Sequence, residues 1–93
     1  MKNIQILDCT LRDGGRIIDC KFEDSTIGNI ANELTEAGID IVELGFLRGK
    51  NLVEYKGNST FFTDTSQLSK FIPDNKKETM YVAFIDYNMY DFK

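Results

Sequence analysis

Apolar residues recur along this chain in two rhythms, one strand-like and one helical, and their alternation predicts the elements. Ile4-Gln5-Ile6-Leu7 is a short run of branched apolar residues closed by Asp8, and it reads as a strand. After a Gly14-Gly15 turn, Asp24-Ser25 offers N-cap chemistry. Ile27, Ile30, Ala31, Leu34 and Ala37 then fall on one face of a helix, which Gly38 is placed to stop. Gly28 inside that helix costs about 1 kcal/mol against alanine. Ile39 to Phe46 carries a second strand, Ile41-Val42-Glu43-Leu44-Gly45, whose near-continuous apolar run suits a parallel strand covered on both faces. A polar loop from Leu47 to Thr63, with Gly49 and Gly57, leads to a short helix. Asp64-Thr65 can cap it, Leu68, Phe71 and Ile72 lie on it, and Pro73-Asp74-Asn75 ends it. Met80 to Ile85 is a third strand, closed by Asp86.

Strand, helix and strand make one βαβ unit, expected to cross over with a right hand. Strand starts near positions 4, 40 and 80 repeat the same β-loop-α unit. Doubly wound sheets and (β/α)₈ barrels share this rhythm. No Gly-x-Gly-x-x-Gly follows the first strand, and Asp13-Gly14-Gly15-Arg16 is not a phosphate cradle. The expected class is α/β with parallel strands, and at this point that absence alone favours the first two to three β/α units of a (β/α)₈ TIM barrel over a doubly wound sheet. A whole barrel takes ~250 residues. Residues 1–93 are accordingly expected to form a partial barrel domain.

Composition narrows the function classes. The chain is 42% hydrophobic and 28% charged with a single proline, which is globular rather than disordered. Fifteen acidic residues against eleven basic ones give a net charge of −4, which speaks against a nucleic-acid or anionic-membrane partner. The longest apolar stretch, Met80 to Ile85, is far short of the ~20 residues that span a bilayer. No signal-peptide core follows Met1, so a cytoplasmic location is the expectation. Histidine is absent, which rules out Ser-His-Asp triads, Cys-His pairs and His-rich zinc sites within these residues. Cys9 and Cys20 are expected to be reduced thiols, with Cys9 buried and inert at the end of its strand.

Chemistry concentrates in Leu7-Asp8-Cys9-Thr10-Leu11-Arg12-Asp13-Gly14-Gly15. An Arg-Asp pair just beyond a first strand stands where parallel α/β folds place their active sites. Asp13 offers a hard carboxylate to a divalent cation such as Mg²⁺ or Mn²⁺. Arg12 offers a permanent, multi-donor cation to a developing enolate oxygen. The glycines would let the backbone turn sharply and approach a ligand. From the residues alone, a solvated loop with a local Arg-Asp pair explains the segment better. Glu43 is the second unusual residue, since a carboxylate within Ile41-Val42-Glu43-Leu44 is costly if buried and unpaired. It could pair with Arg12 or Arg48, order a metal shell, or contact substrate; an ion pair without chemical role is an equal alternative. Asp8 and Asp86 also close strands and read as turn acids, with Asp8 near enough to remain an outside candidate.

Asp8-Cys9-Thr10-Leu11-Arg12-Asp13-Gly14-Gly15, followed about thirty residues later by Ile41-Val42-Glu43-Leu44-Gly45-Phe46, resembles the opening of the DRE-TIM metallolyases. That superfamily includes 3-hydroxy-3-methylglutaryl-CoA lyase, the isopropylmalate and homocitrate synthases, and 4-hydroxy-2-oxovalerate aldolase. The likeness is nearest to the aldolase branch, labelled HMGL-like, and extends from about Ile4 to Phe46, more loosely beyond. It implies Asp13 as a metal ligand, Arg12 as the arginine that steadies the enolate, and Glu43 as the glutamate closing the second strand. The family's remaining ligands are a His-x-His pair late in the barrel, and this chain has no histidine. Gly15 and Arg16 stand where aldolases of the group tend to place a catalytic histidine.

The implied activity is that of the N-terminal part of a divalent-metal-dependent aldolase or lyase. It would act on carbon–carbon bonds of 2-oxo or 3-hydroxy acids, by retro-aldol cleavage or Claisen-type condensation. The metal would be Mg²⁺ or Mn²⁺, with Zn²⁺ as a further option, acting as Lewis acid. The expected partner is a small oxo or hydroxy acid. Two other readings compete: a non-catalytic barrel fragment that associates with copies of itself through open strand edges, and a small α/β binding module.

Overall fold

The computed structural model describes residues 4–50, 52–74 and 78–85. Four parallel strands and two α-helices build a small α/β fold: β1 (Leu7–Asp8), α1 (Asp24–Glu36), β2 (Ile41–Leu47), β3 (Phe61–Phe62), α2 (Thr65–Ser69) and β4 (Met80–Phe84). β2 is the centre of the sheet. β4 pairs with it from Ile41 to Phe46, while β1 pairs with its start and β3 with its end. Among the described residues the sheet is open and does not close into a ring. A central β2 excludes the doubly wound order that places the first strand between the second and third.

The predicted elements are present, with differences that have physical causes. β1 is shorter than the run Ile4–Leu7, because pairing starts only where Leu7 meets Ile41. Asp86 lies outside the described residues. Inside the predicted loop Leu47–Thr63, Phe61-Phe62 forms β3, too short to carry a periodic signal of its own. The Gly14-Gly15 segment is not a simple turn but part of a 3-10 helix, Asp13–Ile18.

Helix α1 begins one residue before its expected cap. Asp24 is already helical, and its backbone N–H is capped from a distance by the Asn58 side chain at 2.9 Å. The Asn58 N–H in turn donates to Asp24 Oδ1 at 2.7 Å, tying the helix start to the loop before β3. The other end follows expectation. Gly38, at φ +80°, donates to Thr35 O, and Ile39 donates to Leu34 O, the paired bonds of a Schellman stop. The buried stripe of α1 is Ile27, Ala31 and Thr35, while Ile30 and Leu34 are half-buried and Ala37 is exposed. Thr35 can lie in the core because its hydroxyl donates to Ala31 O at 2.8 Å and also meets the Tyr81 hydroxyl.

Helix α2 is capped as its sequence implies, but it ends at Ser69, so Phe71 and Ile72, expected on it, lie beyond it. Asp64 Oδ1 accepts the Ser66 N–H at 2.9 Å, and Gln67 Oε1 accepts the Thr63 N–H at 2.8 Å. The Ser66 N–H bond holds the Asp64 carboxyl below its ordinary pKa. A lowered folded-state pKa means that this stabilisation is present above the ordinary value of ~3.9 and is lost as pH falls through the lowered one. Acid titration followed by NMR should therefore move the Ser66 amide resonance with a midpoint below that of free aspartate. A midpoint at or above the free value would contradict the cap.

β2 sorts its side chains between the two sheet faces. Val42, Leu44 and Leu47 join Ile27, Ala31, Phe62 and Phe71 in the core on the helix-covered side. Between Glu43 and Phe46 the register with β4 slips by one residue, since Glu43 pairs with Val82 and Phe46 with Phe84. That bulge keeps Glu43 and Phe46 on the same, opposite face despite their odd spacing. Leu7, Ile41 and Met80 share a register row at the start of that face. Leu7 is 50% and Met80 60% exposed, so the row stays open to water.

Candidate functional site

The open face of the sheet ends in a cluster of charged and aromatic side chains. The chain leaves β1 and hooks back at once, because Cys9 O accepts the N–H groups of Arg12, Asp13 and Gly14 at 3.1, 2.8 and 3.3 Å. The Asp8 carboxylate is engaged in the same turn, accepting the Thr10 N–H at 2.9 Å and its hydroxyl at 3.1 Å. Asp8 is thus a turn acid. Cys9 is half-buried rather than buried, and the enclosed thiol is that of Cys20.

Gly15 is needed for space rather than for backbone freedom. A Cβ there would lie 2.9 Å from both Cys20 Sγ and a Phe22 ring carbon. Leu11, fully buried in the core, pins the middle of the hook. Arg12 then reaches across to β2. Its Nε donates to Glu43 Oε2 at 2.7 Å and its second terminal nitrogen to Oε1 at 3.3 Å, a two-pronged pair spanning 31 residues. The side chains are 17% and 9% exposed respectively. The hydrogen bond that Arg12 donates to the Glu43 carboxylate raises the Arg12 pKa against the opposing effect of burial, so its charge is permanent.

An aromatic floor supports the pair. The Arg12 guanidinium lies over the Phe84 ring, 4.6 Å from its centre. Phe84 meets Phe46 edge to face at 5.7 Å, and Phe46 meets Phe61 at 5.2 Å. Asp13 stands beside the pair with its side chain 58% exposed and Oδ1 3.8 Å from an Arg12 nitrogen. The structure therefore brings Arg12, Asp13 and Glu43 together where the loop after β1 crosses the middle of the central strand β2. Arg48 and the Phe46-Phe61-Phe84 cluster were not singled out as a unit, because Phe61 lies in the loop and Phe84 in a strand that reads only as core.

The sequence resemblance implies a divalent metal beside this cluster. Among the described residues no three histidine, cysteine, aspartate or glutamate side chains gather at one point. Glu43 is bound to Arg12 through both oxygens, and Asp8 is held in its turn. Asp13 is a hard oxygen donor suited to Mg²⁺ or Mn²⁺, but it is one ligand and not a centre. The described residues do not form a metal site by themselves.

A cavity of about 210 Å³ lies on the other side of the sheet, lined by Leu44, Leu68, Ile72 and Tyr81 among others. It is a largely apolar gap beside the short helix α2, and none of Arg12, Asp13 and Glu43 lines it. Compared with protein-family models, with curated proteins and with solved structures, the chain has no match in any of the three.

Proposed function

We propose that this chain is the N-terminal part of an HMGL-like aldolase or lyase barrel, with Arg12, Asp13 and Glu43 as its share of the active site. The observation that carries the reading is the two-pronged Arg12–Glu43 pair, which joins the loop just beyond the C-terminal end of β1 to the middle of β2. Ligands of parallel α/β folds bind at that end. The row Leu7, Ile41 and Met80 lower on the same face, exposed at Leu7 and Met80 and half-buried at Ile41, has the apolar character of an interior barrel layer.

In this reading the substrate is a 2-oxo or 3-hydroxy acid, and the reaction makes or breaks the carbon–carbon bond beside its carbonyl. Arg12 is the catalytic residue, donating to the oxygen on which enolate charge develops. Low exposure and the Phe84 ring beneath it keep that donor oriented and poorly hydrated, which increases its effect on a developing anion. Glu43 is a positioning residue, since both of its oxygens hold Arg12. Asp13 would contribute one carboxylate to a divalent metal whose other ligands are water, substrate oxygens and groups outside the described residues. When bound, such a metal polarises the carbonyl and hydroxyl oxygens.

Two measurements test the reading together. In the intact barrel of which this chain would be the N-terminal part, Asp13→Asn should abolish Mn²⁺ binding followed by water-proton relaxation, with the circular dichroism spectrum unchanged. Arg12→Lys should lower kcat for retro-aldol cleavage by on the order of 10²-fold, the scale for losing an oriented oxyanion donor. Undiminished turnover in Arg12→Lys, or undiminished Mn²⁺ affinity in Asp13→Asn, would sink the assignment.

A further inference from the structure

Backbone hydrogen bonds run in one line from the central strand to the loop that carries Arg12. The Phe46 N–H donates to Thr60 O at 2.8 Å, the Thr60 N–H to Cys20 O at 2.9 Å and the Cys20 N–H to Gly15 O at 2.8 Å. The Gly15 N–H then donates to Arg12 O at 3.3 Å. In Thr60, Cys20 and Gly15 both backbone groups are engaged in the line, so displacing any one of them strains a bond on each side. The Arg12 side chain returns to Glu43, three residues before Phe46 on β2, and closes the line into a ring.

Two glycines leave the room this line needs. A Cβ on Gly15 would lie 2.9 Å from Cys20 Sγ, and one on Gly45 would lie 2.3 Å from Thr60 O. Cys20, midway along, is 1% exposed and holds a left-handed backbone conformation at φ +55°. A non-glycine residue adopts that conformation at a cost and keeps it only where its surroundings enforce it. The Cys20 thiol adds a weak bond of its own, donating to Arg12 O at 3.8 Å. Thr60 is fully buried, and its hydroxyl has no hydrogen-bond partner among the described residues. Its side chain therefore contributes shape, and its backbone the bonding.

We propose that Cys20 and Thr60 are positioning residues, which hold Arg12 against Glu43 by joining the loop after β1 to β2. The inference rests on the reading of Arg12 as the group that meets the developing charge, and it deepens that reading from which residue acts to what keeps it in place. The Glu43 pair fixes the guanidinium of Arg12 and the line fixes its backbone carbonyl, so a long side chain is held at both ends. Phe46 also carries the ring that meets Phe84 under Arg12, so the same line sets the floor of the site.

The test follows exchange of the Arg12 Nε–H and of the backbone amides with water, by NMR on the ¹⁵N-labelled chain. In the wild type the Arg12 Nε–H and the Thr60 amide should have protection factors within about ten-fold of each other, as members of one unit that opens together. Cys20→Ala should speed exchange of the Arg12 Nε–H about ten-fold or more, while the Ala31 amide in the middle of α1 keeps its wild-type rate. A purely structural role for Cys20 would raise both rates together. Thr60→Val keeps the side-chain shape without the hydroxyl and should leave the Arg12 signal unchanged. The proposal is overturned by a wider gap in the wild type, by an Arg12 Nε–H that is unmoved in folded Cys20→Ala or moves only with Ala31, or by its release in Thr60→Val. The wild-type measurement needs no variant, so it decides even if Cys20→Ala fails to fold. No substrate enters these readouts. A firmly held Arg12 in a protein that cleaves no carbon–carbon bond keeps the positioning and removes the lyase reading, and turnover with a loosely held Arg12 does the reverse.

Discussion

Arg12→Met is expected to destabilise the fold by about 3–5 kcal/mol, the usual cost of leaving one member of a buried ion pair without its partner. Glu43 sits within β2 at 9% side-chain exposure and cannot reach water without disturbing the sheet. Arg12 is on a loop, at 17%, with a long stem that can swing outward. Loss of Arg12 should therefore cost more than Glu43→Leu, which leaves the mobile partner. The double variant Arg12→Met/Glu43→Leu should be more stable than Arg12→Met alone, because no buried charge is then left unpaired. Urea unfolding of the wild type, the two single variants and the double variant closes the cycle. A double variant no more stable than Arg12→Met would show that the pair does not carry the burial of Glu43.

Gly45→Ala should be at least as damaging, by about 4 kcal/mol or more, the range reserved for a clash that cannot relax. Gly45 has φ +153°, and a Cβ there would lie 2.3 Å from Thr60 O and 2.6 Å from Thr60 Cβ. Neither contact is the end of a flexible side chain. Thr60 O also accepts the Phe46 N–H at 2.8 Å, so moving it would break the junction of β2 with β3. The bulge that directs Glu43 and Phe46 to one face would shift with it. Gly28→Ala is the internal control, because a Cβ there meets nothing within 4 Å and α1 should gain about 0.5–1 kcal/mol. Thermal unfolding of the two variants should move in opposite directions. A Gly45→Ala protein as stable as the wild type would remove the close approach from the account.

These two residues also show how far the chain could be understood residue by residue. Gly45 is visible in the sequence as a glycine inside a strand, a common sign of a bulge or of a close neighbour. Which neighbour was not visible, because Thr60 lies in what reads as a polar loop. Glu43 is visible as a carboxylate in an apolar strand that needs a partner. Both Arg12 and Arg48 were candidates, and only the hook at Cys9 O aims Arg12 at it. The glycines after Asp13 suggested a ligand-approaching turn, whereas Gly15 is there to let Cys20 and Phe22 pack closely. The start of α1 was legible to within a residue, yet its cap comes from Asn58, 34 positions away.

The sequence by itself determined β1, α1, β2, α2 and β4 in their order, the stop at Gly38, the cap at Asp64 and the nearness of Arg12 and Asp13 to the end of β1. Each follows from periodicity or side-chain chemistry within a few residues, so neighbours along the chain suffice to specify it. Tertiary structure alone decided the partner of Glu43, the bulge at Gly45, the pairing of Phe61-Phe62, and the aromatic surface beneath Arg12. Those depend on sheet register across thirty or more residues, and register is set by which apolar faces bury together rather than by any local pattern.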